Sequence, residues 1–306
     1  MPLKLIVLAK QVPDTHNVTA DAMKADGTVN RGALPAIFNP EDLNALEMAL
    51  QLKEDVGATV TVMTMGPPRA ADILREALYM GADQGVLITD RHFAGADTLA
   101  TSYTLALGIE KAGMPDLILC GRQAIDGDTA QIGPQVAGKL GINQLTYIEK
   151  ILSVEKKTII LKRTLGRVSE TIQTTRPLLI TVSSSANSPR TFGAKRLMKY
   201  KKARTSIEAE QAVKKSSPTG EYGMELLQDE IEQKKRDLKK KGLYIETWSA
   251  DDVGADHEQI GLPGSPTKVK KVQSVVFAAS ELKKVEPNAE GVREMIVELI
   301  EDRTFG

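Results

Sequence analysis

The 306-residue chain holds a single cysteine, Cys120, and three scattered histidines, His16, His92 and His257. That set is too small for a zinc site or an iron–sulfur cluster, so no metal centre is expected. Neither charge is in excess, since Lys plus Arg and Asp plus Glu number 40 each. A balanced chain offers no electrostatic case for nucleic acid or an anionic membrane as its main partner. The apolar start, MPLKLIVLAK, is far too short to span a bilayer and has no signal-peptide cleavage region, so a soluble, cytoplasmic protein is expected. The lone cysteine fits a reducing compartment. Also missing are the GxGxxG dinucleotide fingerprint and the GxxxxGK[ST] phosphate loop, and with them any claim to those two mechanisms.

What is present is one organising stretch, residues 120–140, CGRQAIDGDTAQIGPQVAGKL, which follows the apolar run 117–119 and leads into a helix-compatible segment. Strand, loop and helix in that order is the arrangement of a nucleotide site. Gly121, Gly127 and Gly133 would let backbone approach a ligand closely, and Thr129 and Gln131 sit where unpaired helix N–H groups can face an anion. Asp126 and Asp128 would repel a bare phosphate. They suit caps, acceptors for ribose hydroxyls, or braces on the loop's own amides. An ordinary polar turn above an α/β sheet remains the alternative.

The same unit recurs along the chain. Residues 3–9 form a buried strand ending in a turn at Pro13 and Asp14, and the polar segment 17–36 has turn signals compatible with a small hairpin. Asn39-Pro40-Glu41-Asp42 starts a helix, with a possible asparagine cap, proline in the first turn and two acids suited to the macrodipole. Strands are expected at 58–65, 86–89 and 115–120, with loops at Gly66-Pro67-Pro68 and Gly95-Ala96-Asp97-Thr98 opening further helices. This alternation argues for an α/β fold built on a doubly wound, mostly parallel sheet, whose loops gather beyond the strand C-termini. Residues 144–175 carry strand patterns joined by short turns, an antiparallel insert, and 177–182 rejoins the main sheet. Residues 221–241 are expected as an exposed charged helix, GLPGSPT (261–267) as a linker, and Val292, Met295, Ile296, Leu299 and Ile300 as the stripe of a last helix. That stripe needs a cover, from the chain's own core or from a partner subunit. Domains are placed at 1–200, α/β, and 201–306, a charged extension, linker and helical arm.

VLAKQVPDT, FNPEDLNALEMALQLKE, EALYMGADQGVLI, LKRTLGRVSETIQTTRPLLITV and above all CGRQAIDGDTAQIGPQVAGKLG together resemble the β subunit of electron-transferring flavoproteins, with weaker matching at WSADDVGAD. The resemblance implies an adenine-nucleotide-binding domain and a heterodimer with an α subunit. In simpler members the β subunit holds structural AMP. In bifurcating members it holds FAD that takes a hydride from NADH and divides the electrons between a low-potential acceptor, ferredoxin or flavodoxin, and the α-subunit FAD, which serves an acyl-CoA dehydrogenase-like partner. KQVPDT and FAGADT are similar to the bifurcating group. The carry-over puts Ala9, Lys10, Pro13 and Asp14 near the flavin, and Asn39, Asp42, Met65 and Gly66 near the adenosine. It puts Asp97 and Thr98 near the pyrophosphate or ribityl chain, with Arg122, Gln123, Ala124, Ile125, Asp126, Gly127, Asp128, Thr129, Ala130, Gln131, Ile132 and Gly133 along the nucleotide. No residue is assigned as a catalytic acid or base, because the redox chemistry belongs to the flavin. In the segment that resembles the family's partner-recognition loop, PRTFGAKRLMK, Ala194 replaces the usual leucine, with Phe192 and Leu197 as apolar neighbours. Two alternatives stand beside this expectation: a non-bifurcating carrier with AMP, and a nucleotide-sensing module that needs no α subunit. A free-standing NAD dehydrogenase is disfavoured by the missing Rossmann glycines.

Overall fold

Leu5, Ile6, Val7 and Leu8 of the first strand, β1 (Lys4–Leu8), are all buried. Their side chains alternate between two apolar clusters, Leu5 and Val7 on one sheet face, Ile6 and Leu8 on the other. Such a strand must be covered by helices on both sides, which explains its unbroken apolar run. The computed structural model describes residues 2–14, 35–216, 224–267 and 284–301. Contacts divide the chain into a unit of residues 1–268 and a second unit of 269–306.

After β1 a short antiparallel pair forms, β2 (Gln11–Pro13) with β3 (Ala36–Phe38). The turn signals between them lie outside the described residues. There follow α1 (Pro40–Val56), β4 (Thr59–Met65), α2 (Ala71–Met80), β5 (Gln84–Ile88), α3 (Thr98–Ala112), β6 (Leu117–Gly121) and α4 (Ile132–Leu140). Next come β7 (Asn143–Val154), β8 (Thr158–Leu165), β9 (Val168–Thr175) and β10 (Leu178–Val182), then α5 (Ala194–Tyr200), β11 (Arg204–Thr205), α6 (Ser206–Ser216), α7 (Met224–Lys240) and β12 (Tyr244–Trp248). Leu46, Leu50 and Leu74, from α1 and α2, fill one side of the sheet, and Ile109 and Val136, from α3 and α4, the other. The doubly wound α/β architecture is present.

A 10-stranded sheet runs β11-β12-β5-β4-β1-β6-β10-β7-β8-β9. Pairing is parallel from β11 as far as β10 with β7, and antiparallel for β7, β8 and β9. The chain moves outward from β1 to β4 and β5, then returns to the opposite flank of β1 with β6. That reversal is a topological switch point, where the loops after β1 and β6 part and a crevice opens. The antiparallel insert does not stand apart from this sheet. The first part of β7 pairs parallel with β10 and its later part antiparallel with β8, a change made at a register shift beside Tyr147, whose φ is +60°.

Three expectations about residues beyond 200 are corrected. β11 and β12 extend the main sheet, so residues 201–216 and 224–248 belong with it rather than to a separate extension. Although α7 forms, Ile231 and Leu238 are buried, so its apolar face is used. Within 261–267, Ser265 is only 3% exposed, which no free linker would show. In the second unit, α8 (Ala289–Glu301) displays Val292, Met295, Ile296 and Ile300 as exposed residues. No helix among the described residues is long and apolar enough to cross a membrane.

Candidate functional site

A cavity of about 860 Å³ opens at the switch point, beyond the C-terminal ends of β1, β4, β5 and β6. Its floor lies between β1 and β6, where a single buried carboxylate bridges the diverging strand ends. Asp42 Oδ2 accepts from the Lys10 amide at 2.9 Å and Oδ1 from the Gly121 amide at 2.8 Å. The bridge can form because Gly121 lacks a side chain, for a Cβ there would lie 2.6 Å from Asp42 Oδ1 and 2.8 Å from the Asp42 amide nitrogen. Burial pushes the Asp42 carboxyl up to about 7, even though both strand amides favour its charged form. The same burial, with Asp42 alongside, pushes the Cys120 thiol up, so that cysteine is an inert packing residue.

The neighbouring residues of α1 continue the pattern. Glu41 accepts from the Gln123 amide at 2.9 Å and from the Arg122 guanidinium at 3.0 Å, and Asn39 Oδ1 accepts from the Ile125 amide at 3.1 Å. Asn39 Nδ2 also donates to the Gln123 carbonyl, and its side chain makes no cap bond. Thus the expected cap is instead a brace, and alternate amides of the β6 loop, 121, 123 and 125, are fixed by three residues of one helix start.

Past that brace the loop changes character. Asp128 and Ala130 have φ of +48° and +54°, left-handed values uncommon for residues with a Cβ. The amides of Thr129, Ala130 and Gln131 have no hydrogen-bond partner among the described residues. Those of Ile132 and Gly133 open α4, where no intrahelical acceptor exists. Successive free amides on alternating backbone hands form an anion-binding concavity, and the positive end of α4 adds to it. Thr98, first in α3, donates to Gln131 Oε1 at 2.7 Å, so a second helix N-terminus meets the first. Together these donors suit a phosphate-bearing ligand.

Residues 26–213 match the family described as Electron transfer flavoprotein domain, and that span includes most of the cavity lining. The chain belongs to the electron transfer flavoprotein family. It is 42% identical over 269 residues to the electron transfer flavoprotein subunit beta of Clostridium acetobutylicum, covering 88% of this chain and 87% of that protein. To subunit CarD of the caffeyl-CoA reductase–Etf complex of Acetobacterium woodii it is 41% identical over 268 residues, 87% and 86% of the two chains. Protein FixA of Rhizobium meliloti is 36% identical over 305 residues, 97% and 90%.

Of the residues the flavoprotein resemblance selected, Ala9, Lys10, Asp42, Met65, Gly66, Asp97 and Thr98 line the cavity. So do Arg122, Gln123, Ala124, Gly127, Asp128, Thr129, Ala130, Gln131, Ile132 and Gly133. Five do not. Pro13 is spent on the β2–β3 pair, and the Asp14 amide donates to the Pro35 carbonyl beside it. Asn39 and Ile125 hold each other behind the loop, and Asp126 pairs with Lys10 Nζ at 2.7 Å. Asp128 braces Gln123 Nε2 at 3.0 Å. Two of the glycines also serve a different purpose from close approach to a ligand. Gly121 admits the start of α1, and a Cβ on Gly133 would lie 2.8 Å from Thr181 Cγ2 and 3.0 Å from Cys120 Sγ, so it seats α4 on the sheet.

Sequence reasoning missed part of the lining. Thr89, Asp90, Arg91, Phe93 and Ala94, on the earlier half of the β5–α3 loop, contribute to it, as does Ile207 from α6. The first group was findable, since every loop at the strand C-termini of a doubly wound sheet is a candidate. Ile207 follows Thr205, whose Oγ1 accepts the Glu208 amide at 3.2 Å while Glu208 accepts the Thr205 amide at 2.9 Å. That reciprocal cap, with Arg75 on Glu208, fixes the helix start carrying Ile207; TSIE spells the cap, but nothing in it points to the cavity.

Proposed function

We propose that this chain is the FAD-binding β subunit of a heterodimeric, electron-bifurcating electron transfer flavoprotein. The observation that carries the proposal is the convergence of the loops after β1, β4, β5 and β6 on one cavity of about 860 Å³. That is near the top of the roughly 300–1,000 Å³ range of small-molecule sites. A flavin dinucleotide needs such space, whereas an adenylate would leave much of it empty. The free amides of residues 129–131 and the first turn of α4 suit its pyrophosphate.

When bound, the flavin supplies hydride acceptance from NADH and release of electrons singly. The chain's own residues bind, orient and exclude water. Asp42, Glu41 and Asn39 hold the floor and residues 121–125 of the β6 loop, the base from which the amide donors of residues 129–133 extend. Apolar lining such as Met65, Phe93, Leu105 and Ile132 displaces water from the face of a ring system. Two-electron input and one-electron output place an α subunit with its own FAD, ferredoxin or flavodoxin, and an acyl-CoA dehydrogenase-like enzyme among the partners. The name of the A. woodii relative, a subunit of a caffeyl-CoA reductase–Etf complex, supports a partner of the last kind. The exposed stripe of α8 suits contact with another subunit.

The test is co-expression with the cognate α chain followed by NADH titration under a visible spectrum. Bleaching of flavin absorbance equivalent to two FAD per heterodimer is expected. A heterodimer that carries AMP and is not reduced by NADH would instead be a plain electron carrier, and a colourless homo-oligomer would be a nucleotide-sensing module.

A further inference from the structure

Asp97 lines the cavity, yet its carboxylate is engaged by the protein. Oδ1 caps α3 by accepting the Leu99 and Ala100 amides at 2.9 and 3.1 Å, and Oδ2 accepts the Thr267 amide at 3.1 Å. The Asp97 amide donates to Ser265 Oγ at 2.8 Å, and that hydroxyl donates to the Gly261 carbonyl at 2.6 Å. Both partners come from the segment that sequence patterning assigns to a linker.

The contact extends along the whole β5–α3 loop. Ala250 donates its amide to Asp90 Oδ2 at 3.0 Å, His257 meets His92 edge-on with ring centroids 4.6 Å apart, and the Leu262 amide donates to the Ala94 carbonyl at 3.0 Å. Gly261, at φ +53°, lies so close that a Cβ there would be 1.9 Å from the His92 carbonyl oxygen. One side of this loop therefore faces the cavity, and the other is covered by residues 250–267.

We infer that residues 250–267 form a strap, with Ser265 and Asp97 as positioning residues, that fixes the β5–α3 loop at the height where it retains the bound adenine nucleotide. The inference rests on the proposed function and adds how that site keeps its ligand. Since the loop has no other fastening of comparable extent among the described residues, nucleotide release requires the strap to yield.

The test uses the intact α–β complex carrying Ser265→Ala or Thr267→Pro in this chain. The first removes the buried hydroxyl, and the second removes both the amide and the hydroxyl by which Thr267 reaches Asp97. Two rates are read: hydrogen exchange of residues 90–98, and loss of bound nucleotide into a charcoal trap. Each variant is expected to raise both roughly tenfold, about the effect of losing one net protein hydrogen bond. Exchange in residues 121–125 should stay at the wild-type rate. Release at the wild-type rate overturns the inference whether or not exchange rises, and so does a rise spread evenly over the sheet, which would mark general destabilisation. A wild-type complex holding no adenine nucleotide would overturn the proposed function and the inference together, and that failure shows before any variant is made.

Discussion

On one side of the cavity the β6 loop is held by residues 39–42, which lie 79 to 86 positions before it in the chain. On the other side the β5–α3 loop is held by residues 250–267, 160 to 170 positions after it. Both walls rest on an aspartate that accepts backbone amides, yet Asp42 is buried and Asp97 half-exposed. For Asp42 burial outweighs the amides and raises its pKa. For Asp97 burial also acts upward, but the amides of Ala100, Thr267 and Leu99 outweigh it and hold the carboxyl below its ordinary value. The difference teaches that the first wall is a rigid floor within the core and the second a surface fastening able to open.

Substituting a glycine in each wall gives the largest contrast. Gly121→Ala forces a Cβ against the backbone of Glu41 and Asp42, so a loss of about 3 kcal/mol in denaturant-unfolding stability is expected. Gly95→Ala, at φ +76° with its nearest neighbour Leu262 Cβ at 3.3 Å, should cost only about 1 kcal/mol. Equal losses would remove the contrast between floor and fastening.

The two aspartates should differ in pH dependence as well, measured without ligand. Asp42 has a folded pKa near 7 against 3.8 unfolded, so the folded state binds the extra proton and its contribution is full below pH 4 and declines as pH rises to 7. Asp42→Asn, which offers one acceptor oxygen where two amides need it, should cost roughly 2 kcal/mol at pH 4. That deficit should shrink with pH, at no more than about 1.4 kcal/mol per unit. Asp97, with its lowered pKa, contributes above the unfolded value and loses that contribution as pH falls through its folded one. Asp97→Asn keeps a capping oxygen but loses the second acceptor for the Thr267 amide, so it should cost about 1 kcal/mol at pH 7, a loss that disappears in acid. Parallel pH profiles for the two variants would contradict the assignment.

Lys10→Met gives the smallest effect. The Lys10–Asp126 pair, at 2.7 Å, joins a lining residue to one outside the cavity, and the lysine side chain is 49% exposed, so under about 0.5 kcal/mol is expected by thermal unfolding. A larger loss would make this surface pair part of the rigid floor.

How far the sequence reveals each wall follows from the same contrast. The floor was legible in outline, because buried strands such as β1 and β6 run apolar and the loops after them carry glycine, proline and acids. Its bonding was not. Asn39 has the composition of a cap and acts as a brace, and nothing local shows that Asp42 meets an amide 79 positions away. The second wall was hidden for a stronger reason. β12, YIETW, is a half-buried strand near the sheet edge with mixed polarity, and GLPGSPT has a linker's composition because a tight path over another backbone demands glycine and proline just as a loose one does. Ser265 is recognisable as structural only once Asp97 lies beside it.

The most direct measurement is the count of cofactors extracted from the heterodimer, made once with the wild-type chain and once with Thr129→Trp, which crowds the cavity without touching the packing of Gly133. Two FAD for the wild type, falling to one in the variant, is the predicted result. One FAD with one AMP in the wild type, or an unchanged count in the variant, would contradict it.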